Sequence, residues 1–282
     1  MDKKEPKITQ REIDRMINER IKEKHGITNA QLKRLINKQR VPKKRKTKIE
    51  VPKNEFKFGI VTDTHLSSTL CALDELHSFY EIMKKQGVKH VMHSGDLVAG
   101  NGRMFRGQEM EMSAFGLEAQ AQDVIDNYPK IKGMTTHVIA GNHDLSFFND
   151  NGGDLIKNVA HERDDFNYVG HYDATVSMGG VKIKLLHPDK GGGANITAKS
   201  NGMVDAMEEK DKPDIFILGH WHTNIYYRYK GVNVIHGGCW ERESDYLIRK
   251  GISTQIGGWI VTVKTNAKGK LLSITPEWYN FA

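Results

Sequence analysis

The chain has 282 residues, 38% of them hydrophobic and 27% charged, which suits one large domain with an appendage or two small ones around a buried core. No stretch approaches the about 20 apolar residues of a membrane span, and the N-terminus is charged from Asp2 with no apolar leader core, so the expectation is a cytoplasmic chain with no membrane partner. The net charge of +7 is uneven: residues 1–50 hold 17 Lys and Arg against 7 Asp and Glu, a surplus of +10 that leaves −3 on residues 51–282.

Two units are expected, a basic helical arm with its linker over residues 1–50 and a catalytic domain over 51–282. In the arm, Thr9 and Glu12 form a capping-box pattern, and Ile13, Met16, Ile17 and Ile21 recur at helical spacing. Gly26 stands at a helix stop, and Thr28 with Gln31 opens a second helix through Leu32, Leu35 and Ile36. A docked helical hairpin is favoured over a helix-turn-helix. The charge of the arm suits a polyanion, with nucleic acid the expected partner. Pro42 to Lys48 reads as a basic linker, and Pro52 marks entry to the body.

From Phe56 the pattern alternates. A strand over 56–62 ends at Asp63, a helix spans about 70–86, a strand covers 90–94, a helix 110–126, and a strand 136–140 ends at Gly141. Such a βαβαβ run collects ligands at the carboxyl ends of its strands. The second half is richer in strands, expected over 174–178, 181–186, 215–218, 225–229, 232–236 and 258–265. Cys71 and Cys239 are the two cysteines, too few for a disulfide framework.

Five polar clusters follow these strands: Asp63-Thr64-His65, Gly95-Asp96, Gly141-Asn142-His143-Asp144, Leu186-His187 and Gly219-His220-Trp221-His222. Asp63 and His65 are two apart and share a face of an extended chain, and His220 and His222 repeat that spacing. Imidazole suits borderline transition metals and carboxylate harder ones. Two neighbouring dications repel, so a shared anion is needed, and Asp96 is placed to bridge. Each cluster alone is a common accident. Five in this order, each directly after an apolar strand, are specific, because burying so many polar groups without a purpose is unfavourable.

The pattern D-x-H, G-D, G-N-H-D, a later His and G-H-x-H resembles the calcineurin-like metallophosphoesterases, over residues from about 56 to 265. The resemblance implies an α/β fold, a four-layer β-sandwich flanked by helices. It implies Asp63, His65, Asp96 and His222 at one metal, and Asp96, Asn142, His187 and His220 at the other. His143 would stand near the leaving oxygen as the catalytic acid, oriented by Asp144. Ala99 stands where many members carry an acidic residue. Two divalent ions are implied, Mn first, with Fe, Zn or Ni as alternatives. Within the family, Gly95-Asp96-Leu97-Val98 with the following Gly-rich loop and Gly107-Gln108 resembles the exonuclease small subunit of archaeal D-family DNA polymerases. So does the segment from Gly237 to Ser244.

The resulting expectation is a dinuclear-metal hydrolase of phosphodiesters in nucleic acid. The alternatives are a phosphomonoesterase, a small-molecule or cyclic-nucleotide phosphodiesterase, or a nucleic-acid-binding protein whose metal domain is structural. Arg103, Arg106 and Lys190 are candidate phosphate contacts. Trp221 and Trp240 are read as base-stacking or, preferentially, as core residues. Oligomeric state is not fixed by the sequence.

Overall fold

The computed structural model describes residues 19, 47–101, 108–189, 195–251 and 253–281. Two compact units divide the chain, Met1–Lys43 and Lys44–Ala282. The helical arm expected over 1–50 therefore lies outside the described residues except at residue 19 and residues 47–50. The Gly-rich loop with Arg103 and Arg106, and Lys190, lie outside them too. No helix among the described residues is long and apolar enough to cross a membrane.

Among the described residues, twelve strands form two six-stranded sheets. The first sheet has the order β12 (Leu271–Asn280), β11 (Gly257–Thr265), β2 (Glu55–Val61), β3 (His90–His93), β4 (Thr135–Ile139), β5 (Phe166–Gly170). The second has the order β1 (Thr47–Ile49), β6 (Asp173–Met178), β7 (Val181–Leu186), β8 (Ile215–Leu218), β10 (Val232–Gly237), β9 (Asn224–Tyr229). β2, β3, β4 and β5 pair in parallel, as do β7, β8 and β10. Their carboxyl ends consequently gather, sheet by sheet, where the polar clusters follow. β1 pairs in parallel with β6, so residues 47–49, read from sequence as linker, are an edge strand.

Alternation along the strands explains the layers. Phe56, Phe58 and Ile60 of β2 meet Val181, Ile183 and Leu185 of β7 in the core between the sheets, while Lys182 and Lys184 take the opposite face. Helix α1 (Leu73–Lys85) turns Leu76, Phe79, Tyr80 and Met83 inward at helical spacing. With α2 (Leu117–Asn127) and α4 (Leu155–Glu162) it covers the outer face of the first sheet. Val204 of α5 (Ile196–Asp205) packs on Phe216, Leu218 and Val234 outside the second sheet. The layers are thus helix, sheet, sheet, helix, the four-layer sandwich expected from the motifs.

One expected helix is interrupted. Instead of running over 110–126, the chain makes a 3-10 turn at Gln108–Glu111, and α2 begins only after Gly116. Backbone bonds from Thr69 to Glu111 and from Ser113 to Ser67 hold the intervening residues to the loop after β2. α3 (Asn142–Asn151), α4, α5, α6 (Asp245–Lys250), β5 and β12 were not anticipated.

Candidate metal centre

The clusters occupy sharp turns that leave the strands. Among the described residues, eight non-glycine positions have positive φ, and five of them are Asp63, His65, Asp96, His220 and His222. Such backbone costs on the order of 1–3 kcal/mol per residue and persists where surrounding bonds enforce it. Those bonds are present. Asp63 N donates to Gly95 O at 3.0 Å and His65 N to Asp96 O at 3.2 Å, which zips the first two clusters together. His220 N donates to both oxygens of Asp63, at 2.9 and 3.0 Å, joining the fifth cluster to the first. Gly141 is required for close approach, since a Cβ there would collide with the Asp96 carboxylate.

Two groups of donors result. Asp63, His65 and His222 form one, and Asp96, His187 and His220 the other, with the donor atoms of each group within 4.8 Å of one another. In the first, His65 Nε2 is 3.3 Å from His222 Nε2, and His222 Nε2 is 3.5 Å from Asp63 Oδ1. Asp96 lies between the groups: its Oδ2 is 3.9 Å from His65 Nε2 and 3.1 Å from His187 Nε2. Asn142 Oδ1 reaches the same His187 nitrogen at 3.0 Å. Spacings of 3–4 Å between converging nitrogen and oxygen atoms fit donors on a shared ion with bonds of about 2.0–2.2 Å. Divalent ions therefore fit these residues, and Asp96 faces donors of both groups.

The surroundings fix each donor. His187 Nδ1 lies 2.8 Å from Ser94 O; that carbonyl takes the Nδ1 proton and leaves Nε2 facing the centre. Thr62 Oγ1 donates to Asp63 Oδ2 at 2.5 Å. In the metal-free protein, burial alone would push the His187 imidazole down, but Asp96 beside it raises it to about 9. Burial is the largest influence on Asp96 and works against its ionised form, but His187, His143 and His65 together hold the carboxyl well below its usual range. Oδ2 of Asp96 and Nε2 of His187, 3.1 Å apart, are thus an acidic and an imidazole donor that a bound cation would draw on together. His220 is pushed down to about 4, by burial first and His187 second, so it offers a neutral nitrogen.

His143 stands over the first group, its ring 4.6 Å from that of His65 and edge-on at 87°. His65, Asp96 and His143 also form a cluster of donors. His143 Nδ1 is 2.6 Å from Ala99 O, so a backbone carbonyl orients the imidazole. Asp144 serves the backbone: it accepts from Gly141 N at 2.8 Å, Leu97 N at 3.0 Å and Val98 N at 3.2 Å, which ties the second cluster to the start of α3. Burial, then repulsion from Asp96, raise its carboxyl to about 7 against these bonds.

Four further residues complete the picture. Trp221 packs in the core outside the second sheet, and Trp240 is fully buried among Phe79 and Phe281, so both are core residues. His93, the last residue of β3, is occupied by Gly95 N and Thr64 Oγ1 and stays out of the centre. Glu241 was not singled out from sequence, yet its Oε2 lies 3.8 Å from His65 Nε2.

A family model for the calcineurin-like phosphoesterase superfamily domain matches residues 56–250. No curated protein matches the sequence. The chain is similar to a solved archaeal phosphodiesterase, with 16% identity, a TM-score of 0.44, and coverage of 79% of this chain and 100% of that one. It is similar to Vps29 from Entamoeba histolytica complexed with zinc, with 14% identity, a TM-score of 0.39, and coverage of 80% and 100%. For a putative 5′-nucleotidase from Staphylococcus aureus in complex with α-ketoglutarate the values are 16%, 0.48, 80% and 54%. With its family model spanning most of the residues and a centre able to hold two divalent ions, the chain belongs to the calcineurin-like phosphoesterase superfamily and is a metal-dependent phosphoester hydrolase.

Proposed function

We propose that this hydrolase cleaves phosphodiester bonds, with nucleic acid as substrate, through Asp63, His65, Asp96 and His222 at one ion and Asp96, Asn142, His187 and His220 at the other. The observation that carries the reading is the position of Asp96 within reach of both donor groups. Bound divalent ions, Mn before Fe, Zn or Ni, would supply a nucleophile from water at neutral pH and neutralise charge on the phosphoryl group. His143 would protonate the leaving alkoxide from Nε2 while Ala99 O holds Nδ1. Asp144 keeps the second cluster against α3, so that His143 N can bond Asp96 Oδ1 at 2.9 Å.

Nucleic acid is favoured over a small diester by the +10 of residues 1–50, which would supply sequence-independent phosphate contacts. The resemblance of residues 95–108 and 237–244 to an archaeal polymerase exonuclease subunit is a sequence reading that belongs to the same proposal. The division into an arm over 1–50 and a catalytic domain over 51–282 belongs to this reading.

The test is a metal-supplemented assay comparing single-stranded DNA with chromogenic phosphate mono- and diesters, beside metal analysis of purified protein. The expected result is close to two Mn per chain, diester cleavage above monoester cleavage, and lower occupancy of both sites in Asp96→Asn. Full activity in excess chelator would overturn the metal assignment. Monoester preference with no DNA cleavage would overturn the substrate.

A further inference from the structure

Glu241 is delivered to the centre by an anchor on each side. Trp240 N donates to Asp63 O at 2.9 Å, and Ala72 N donates to Trp240 O at 2.7 Å. Arg242 N donates to Leu70 O at 2.9 Å, and Glu241 forms an isolated bridge with Cys71. Residues 240–242 thus lie alongside the loop after β2 as an added rung, and the fully buried Trp240 ring locks the rung in place.

The side chain so placed is 15% exposed, and its Oε2 meets His65 Nε2 at 3.8 Å. Its neighbour Arg242 turns away to pair with Glu75. Among the described residues no Lys or Arg pairs with Glu241. A largely buried carboxylate without a counter-charge is unfavourable. The nitrogen it faces is the one that also faces His222 Nε2 at 3.3 Å, where the first donor group converges. A cation on that nitrogen would supply the missing charge.

Resting on the dinuclear reading above, we propose that Glu241 is a third carboxylate of the metal centre, acting on the ion held by Asp63, His65 and His222. The tight donor groups do not include it, so it works from one atom layer further out. It strengthens cation binding at that ion by charge and lowers the formal charge of the loaded centre. Asp96→Asn acts on both ions, whereas Glu241 acts on one.

The experiment uses metal-stripped full-length protein, titrated with Mn²⁺ by calorimetry and melted in chelator and in Mn²⁺. Wild type should bind two ions. Glu241→Gln should weaken one site about 10- to 100-fold, the range for groups that support a metal's ligands, and leave the other unchanged. In chelator the same variant should melt higher than wild type, because an uncompensated buried charge is gone. Its gain in Tm on adding Mn²⁺ should be smaller. Glu243→Gln, whose carboxylate accepts from Ser253 Oγ at 2.8 Å on the surface, should match wild type throughout. Unchanged Mn²⁺ binding in Glu241→Gln, or a lower Tm in chelator, would overturn the role of Glu241. Wild type that takes up no Mn²⁺ would overturn the dinuclear reading and Glu241 with it.

Discussion

His143 is held at both its backbone and its ring. Its N–H holds Asp96 Oδ1 at 2.9 Å and its ring nitrogen meets Ala99 O at 2.6 Å. Replacing it with Ala should leave the metal content near two and lower turnover by about 10²–10⁴-fold, as for other general acids. The loss should shrink for nitrophenyl esters, whose leaving group needs no proton. Metal analysis and paired kinetics check this; loss of one ion would instead make His143 a ligand, as its nearness to His65 and Asp96 allows. The donors were legible because each sits directly after an apolar strand, and parallel strands bring their ends together. The carbonyl of Ala99 was not legible, since backbone groups leave no mark in a residue pattern. Nor was the place of Glu241, which depends on Trp240 bonding a residue far away in sequence.

At the scale of elements, alternation exposed the strands and periodicity exposed α1, whereas α3 hid. Its sequence Asn142–Asn151 is rich in Asn, Asp and Ser, so it carries no apolar stripe and is held by its neighbours instead. α2 shows a different dependence. Its C-terminal carbonyls need donors, and the buried Arg163 side chain serves them, reaching Val124 O at 3.2 Å and Ile125 O at 3.3 Å, and just past the helix Tyr128 O at 2.9 Å and Pro129 O at 3.0 Å. The same guanidinium grips Asp165 at 2.8 and 2.6 Å. Arg163→Ala should destabilise the fold by about 3–5 kcal/mol, the range for breaking a buried ion pair on one side. The midpoint of urea unfolding, compared at an unchanged m-value, measures it. A shift under about 1 kcal/mol would show that the carbonyls find other partners.

For the molecule as a whole, charge and chemistry are segregated, with +10 on residues 1–50 and −3 on the remainder. Because β1 begins at Thr47, truncation should remove residues 1–43 and spare the edge strand. The truncated protein should bind DNA more weakly and with a flatter salt dependence, since fewer counterions are released. Cleavage of a small chromogenic diester should hold steady. Equal DNA affinity and salt slope in both proteins would reject nucleic acid as the arm's partner.

The two donor groups share a further property, in that neither belongs to a single sheet. Asp63, His65 and Asp96 follow strands of the first sheet, while His187, His220 and His222 follow strands of the second. During synthesis, a chain that has emerged only as far as β5 carries both acidic donors and lacks three of the imidazoles. Neither pocket can close until His220 and His222 have left the ribosome and the second sheet has docked. Metal capture by these donors would therefore come late in the life of the nascent chain. An ion that arrives early meets scattered donors, and one that arrives after docking meets the finished centre.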